Sequence, residues 1–163
     1  MTTEHDERIV SLTLAGLPSS SSFLHIEKKQ AIHDILSLNS FSYIRDPSGP
    51  YTVVLGQEDG YLVFRITNAT GTLFPALALS PRPYRRLIQD YFLMVESYEK
   101  ARADGDPYRL ESIDMGRRGI HNEGAELLIE RLKDKIALDF ETARRFFTLI
   151  CALHIGGARV LVG

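Results

Sequence analysis

A change of hydrophobic period at Pro81 and Pro83 divides this sequence into two halves that must fold differently. Ahead of it, Val10, Leu12 and Leu14 alternate with Ile9, Ser11 and Thr13, which predicts a half-buried strand over 8–14. The segments 51–55 and 61–67 repeat that period, the second with Leu62, Phe64 and Ile66 on one face, and a third apolar run reaches Leu79. Connectors as short as 56–60 and 68–71 allow only antiparallel pairing among these three. Pro75 removes a ladder donor and assigns the last strand to an edge or a bulge. One stretch breaks the alternation: from His25 to about Leu38, the residues Ile32, Ile35, Leu36 and Leu38 fall near helical spacing. Gly16, Pro18 and Ser19 to Ser22, just before it, predict a flexible connection.

Beyond Pro83, the residues Tyr84, Leu87, Ile88, Tyr91, Phe92, Val95 and Tyr98 repeat at three- and four-residue steps for about five helical turns. Gly105, Asp106 and Pro107 end that helix. After a polar stretch, Asn122 is expected to cap a helix running to about Leu132, with Ala125, Leu128, Ile129 and Leu132 inward and Glu123 complementing its positive start. Asp139 caps a last helix whose stripe is Ala143, Phe146, Phe147, Ile150, Cys151 and His154, and Gly156-Gly157 stops it. Strands and helices grouped in blocks predict an α+β fold in one domain spanning 1–163. An antiparallel sheet of about four strands fills 8–79 together with one helix, helices pack on one face, and 81–155 is helical. At 163 residues the chain is long enough to bury about 70% of its unfolded surface.

A formal charge of −2 removes any global drive toward nucleic acid, and the tyrosines fall mostly on core stripes. The single cysteine, Cys151, excludes an internal disulfide framework and multi-cysteine metal sites, and it suits a reducing cytosol. The polar N-terminus lacks the basic start and apolar run of a signal peptide, and no apolar run approaches the ~20 residues that span a bilayer. The expectation is therefore a cytoplasmic protein with no membrane span, no metal and no cofactor. The pattern His121-Asn122-Glu123 matches the H-x-E fragment of zinc deaminases, but no C-x-x-C completes it. Signatures of metalloproteases, P-loop enzymes, α/β-hydrolases and calcium sensors are absent. His25 and His33 are read as surface residues, and Cys151 as a small core residue.

Packing explains the segment 113–124 least. Asp114, Arg117, Arg118, His121, Asn122 and Glu123 lie among Gly116, Gly119 and Gly124, and are expected to form a loop just ahead of a helix start. Free N–H groups there attract anions, and arginine offers a planar two-pronged fork for carboxylate or phosphate. The plain alternative is a turn in which Arg117 or Arg118 pairs with Asp114 or Glu123. Two further arginine pairs, Arg85-Arg86 and Arg144-Arg145, would form a cationic pocket if they converged on this loop, although Arg86 can also meet Asp90 and Arg145 can meet Glu141 at one-turn spacing. The leading expectation is a domain that recognises an anionic ligand or a protein partner through 113–124, with Arg86 and Arg145 as neighbours. A small hydrolase or transferase using His121 with Asp114 or Glu123 as acid and base is the alternative. A structural subunit that self-associates through an edge near 73–79 or through an apolar helix face is a third reading.

The blocks IDMGRRGIHNEGAELLIERL and DFETARRFFTLICALH, with PYRRLIQDYF and GPYTVVLGQEDGYLVFRI, resemble a bacterial, mainly alphaproteobacterial family known as uncharacterised protein family 0262. The likeness runs from about residue 25 to 154, and leaves Ser19 to Ser22 and Ile155 to Gly163 as features of this chain. It implies a bacterial cytosolic protein and assigns no activity, cofactor or residue role.

Overall fold

The computed structural model describes residues 6–15 and 22–155. The connection expected from Gly16 to Ser22, apart from its last residue, and the Gly156-Gly157 stop lie outside them. Strand β1 (Ile9–Ala15) leads to helix α1 (Ser22–Ser37), then β2 (Phe41–Tyr43), β3 (Tyr51–Glu58), β4 (Tyr61–Thr67) and β5 (Leu77–Leu79). One turn of 3-10 helix (Arg82–Tyr84) opens α2 (Arg85–Ala103), followed by α3 (Pro107–Leu132), β6 (Ile136–Leu138) and α4 (Phe140–Ile155). The fold is α+β with a helical C-terminal half, as the change of period implies.

The main sheet has four strands in the order β1-β3-β4-β5. β3, β4 and β5 form the expected antiparallel meander, with Leu55 opposite Phe64 and Phe64 opposite Leu77. Asp59 and Gly60 both take positive φ, 51° and 82°, at the tight turn between β3 and β4, where Gly carries no steric cost. The all-antiparallel expectation needs correction at β1, which pairs parallel to β3, with Leu12 opposite Val53. Its link to β3 runs through α1, and a crossover of that length returns the chain in the same direction. The sheet is therefore mixed. The expected alternation also fails at its first step: Ile9 is buried and Val10 exposed, because the register shifts between Ile9 and Ser11.

A second, two-stranded sheet pairs β2 with β6, Phe41 opposite Leu138. Three-residue strands carry too few positions for a period to show. Their pairing ties the end of α1 to the start of α4: Ser40 N donates to Asp139 Oδ1 at 3.0 Å, and Asp139 N donates to Ser40 O at 3.3 Å. Asp139 is also the expected cap, its Oδ2 accepting from Thr142 N at 3.3 Å. Phe41, Tyr51, Phe64 and Phe146 meet in one core between sheet and helices, with the Phe64 and Phe146 rings 5.7 Å apart.

The largest departure lies in α3. The expected loop over 113–124 is the middle of one 26-residue helix, about 39 Å long, and Asn122 is an exposed interior residue instead of a cap. The cap is Asp106, whose side chain accepts from Arg109 N at 3.2 Å, with Pro107 in the first turn. Gly116 and Gly119 each cost a helix interior about 1 kcal/mol relative to alanine, which is why they read as breakers. They are carried because the second half of the helix is anchored in the core through Gly124, Ala125, Leu128 and Leu132. No residue from 107 to 120 is buried. Gly124 is a packing glycine, since a Cβ there would stand 2.4 Å from Phe147 Cγ on α4.

Candidate functional site

Straightening 113–124 into helix gives its charged residues a common direction. Positions three, four and seven apart share a helix face, so Asp114, Arg117, Arg118 and His121 form one stripe. Helix α4 carries the same spacing in Glu141, Arg144, Arg145 and Thr148, and α1 carries it in Glu27, Gln30, Ala31 and Asp34. These three stripes line one open cleft of about 320 Å³. The pattern acid-x-x-Arg-Arg-x-x-polar thus occurs twice, on adjacent helices. That recurrence was the available signal for Glu141, Arg144 and Thr148, and reading the glycines as a loop concealed it. Glu27, Gln30 and Asp34 carried no comparable signal.

Two of the three arginine pairs therefore converge. The third does not: Arg85 lines a separate cavity with Tyr61, Ser80 and Arg82. Arg86 reaches Glu123 of α3 and, at 3.4 Å, Asp90, so Arg86, Asn122 and Glu123 stand away from the cleft. The Arg145 to Glu141 pairing expected from the sequence is replaced by Arg144 to Glu141, at 3.3 Å, because Arg144 lies one turn of i,i+3 spacing away on the same side.

Within the cleft, Arg117 Nη2 holds Glu27 at 2.8 and 3.0 Å to its two oxygens, and Arg118 holds Asp114 at 3.2 Å. Burial raises the Glu27 carboxyl above its ordinary pKa, against the pull of Arg117. Asp34 accepts from Gln30 Nε2 at 2.8 Å. Among the described residues Arg145 has no ion pair, and Arg144 Nε is buried without an acceptor.

His121 forms the floor. Its Nδ1 lies 2.8 Å from Arg117 O, which can only accept, so Nδ1 carries the proton. Nε2 is then the acceptor for the Thr148 hydroxyl at 2.9 Å. The ring sits edge-on between Tyr91 and Phe147, at 5.4 and 5.8 Å. Burial pushes its pKa down to about 4, and the nearby Arg117 and Arg144 guanidinium groups act in the same direction. The imidazole is neutral at pH 7, with both nitrogens engaged by protein atoms and no hydrogen bond to Asp114 or Glu123. Cys151 is buried and its thiol pKa raised by burial. Among the described residues no group of three or more His, Cys, Asp or Glu could hold a metal ion, and no helix is long and apolar enough to cross a membrane.

A family model described as an uncharacterised protein family, UPF0262, matches residues 6–156. A UPF0262 protein of Hyphomonas neptunium is 49% identical over 133 residues, covering 82% of each chain. One from Azorhizobium caulinodans is 47% identical over 155 residues, covering 92% of this chain and 95% of its own. One from Rhizobium meliloti is 49% identical over 131 residues, 80% of this chain and 83% of its own. No solved structure matches the chain.

Proposed function

We propose that this chain, which belongs to the uncharacterised protein family UPF0262, is a cytoplasmic binding domain whose α1–α3–α4 cleft takes a small molecule by an anionic group. One observation carries the reading: Arg145 faces the cleft without a carboxylate, beside Arg144 and Arg118, whose guanidinium groups are held by Glu141 and Asp114. An oxyanion seated on Arg145 meets a planar guanidinium in a two-pronged geometry. Binding is favoured over turnover because His121 spends both ring nitrogens on Arg117 and Thr148 and has no carboxylate to act with. A cavity near 320 Å³ falls at the small end of the range for small-molecule sites. It fits a metabolite better than a protein surface.

The test is thermal unfolding at constant ionic strength with inorganic phosphate, citrate and phosphoethanolamine as probes. A probe at a hundred times its Kd stabilises the folded state by about 2.7 kcal/mol, which for a domain of this length raises Tm by about 5–10 °C. Arg145→Ala abolishes that rise, whereas Arg85→Ala, in the other cavity, retains it. Failure of all three probes to stabilise the wild type, or equal losses in both variants, overturns the reading.

A further inference from the structure

The charge on the cleft wall is balanced, and the balance is uneven in a way that selects a ligand. Four arginines and four carboxylates line it. Three of each are spoken for: Glu27 with Arg117, Asp114 with Arg118, Glu141 with Arg144. The remainder is one cation on α4, Arg145, and one carboxylate on α1, Asp34, whose partner is the neutral amide of Gln30. Asp34 and Arg145 share the cleft without forming an ion pair with each other.

A simple anion entering this cleft satisfies Arg145 but faces the uncompensated charge of Asp34. A simple cation meets the reverse. Only a molecule with both charges leaves neither group unpaired, and desolvating an unmatched charge is what discriminates against the other two. Resting on the reading of the cleft as an anion-accepting site, we propose that its ligand is a small zwitterion. Its carboxylate or phosphate sits on Arg145, and its ammonium on Asp34. Asp34 stands on α1 and Arg145 on α4, and the two form no ion pair with each other, so the ammonium and the oxyanion are separate groups of one ligand.

Calorimetric titration of the whole chain tests this with three phosphate-series probes, phosphoethanolamine, inorganic phosphate and ethanolamine, and with γ-aminobutyrate as the carboxylate counterpart. Phosphoethanolamine or γ-aminobutyrate is expected to bind at least tenfold more tightly than phosphate, identifying which oxyanion the site takes. Asp34→Asn, a half-exposed and nearly isosteric change, should erase that advantage, loosening the zwitterion and letting phosphate bind at least as tightly as before, while Arg145→Gln should weaken both. If phosphate binds as tightly as either zwitterion and Asp34→Asn changes nothing, the zwitterion assignment is wrong and the anion site survives. If Arg145→Gln has no effect on any bound probe, both proposals fall together.

Discussion

Single glycines in α3 act in opposite senses according to what surrounds them. A Cβ added at Gly116 meets nothing within 4 Å, whereas one at Gly124 collides with Phe147. Gly116→Ala should therefore stabilise the protein by about 0.5–1 kcal/mol through helix propensity alone. Gly124→Ala should destabilise it by about 1–3 kcal/mol, since α3 and α4 must move apart. Urea unfolding of the two variants checks both signs, and destabilisation by Gly116→Ala would show that the residue is not in a helix interior. Sequence distinguishes neither glycine from the other, because the difference lies in a contact with a residue 23 positions away. The same limit governs the candidate site. Asp114, Arg117, Arg118 and His121 are legible as chemistry because packing leaves their segment unexplained, Arg145 because it belongs to another arginine pair, and all five line the cleft. Asn122 and Glu123 are read as part of a loop that does not form, Arg86 as its neighbour, and all three stand away from the cleft, Arg86 paired with Glu123.

Helix α3 divides into halves of unequal tenure. Its second half is fixed by Ala125, Leu128 and Leu132 in the core; its first, 107–120, has the partly buried Ile113 and Ile120 against that core, fully buries no residue, and leans further on the Asp106 cap and on ion pairs such as Arg118 with Asp114. Isolated helices of such length are marginal in water, so amide exchange should be faster across 107–116 than across 124–132. Asp106→Ala, which removes an acceptor worth about 1 kcal/mol, should accelerate exchange in the first segment and leave the second unchanged. Equal acceleration in both would mean that the helix opens as one unit. The elements with a long, clean period, the meander and α2, were readable from their apolar residues. What escaped was whatever depends on a distant neighbour: the direction of β1, fixed by a crossover, and the β2–β6 pair, whose strands are too short to show alternation.

At the scale of the whole molecule, His121 couples global stability to pH. Its folded-state pKa of about 4 lies below the 6.5 of an unfolded histidine. As pH falls through 6.5 the unfolded chain takes up a proton that the folded one refuses, so stability declines until about pH 4. The contribution amounts to about 2.5 kcal/mol by pH 4.5. His121→Gln, which keeps a hydrogen-bonding group opposite Thr148, should make the drop in unfolding free energy between pH 7 and pH 4.5 shallower by that amount. Carboxylates titrating near the lower limit affect both proteins alike and cancel in the comparison. An identical slope in the variant would show that the ring takes up its proton as readily in the fold as in the unfolded chain. The parallel pairing of β1 with β3 has its own consequence for how the protein is made. On a ribosome β1 emerges first and has no strand to dock on until α1, β2 and finally β3 have followed it out. For that interval an apolar segment carrying Ile9 and Leu12 remains open to passing hydrophobic surfaces, and a nascent-chain chaperone has most to protect there.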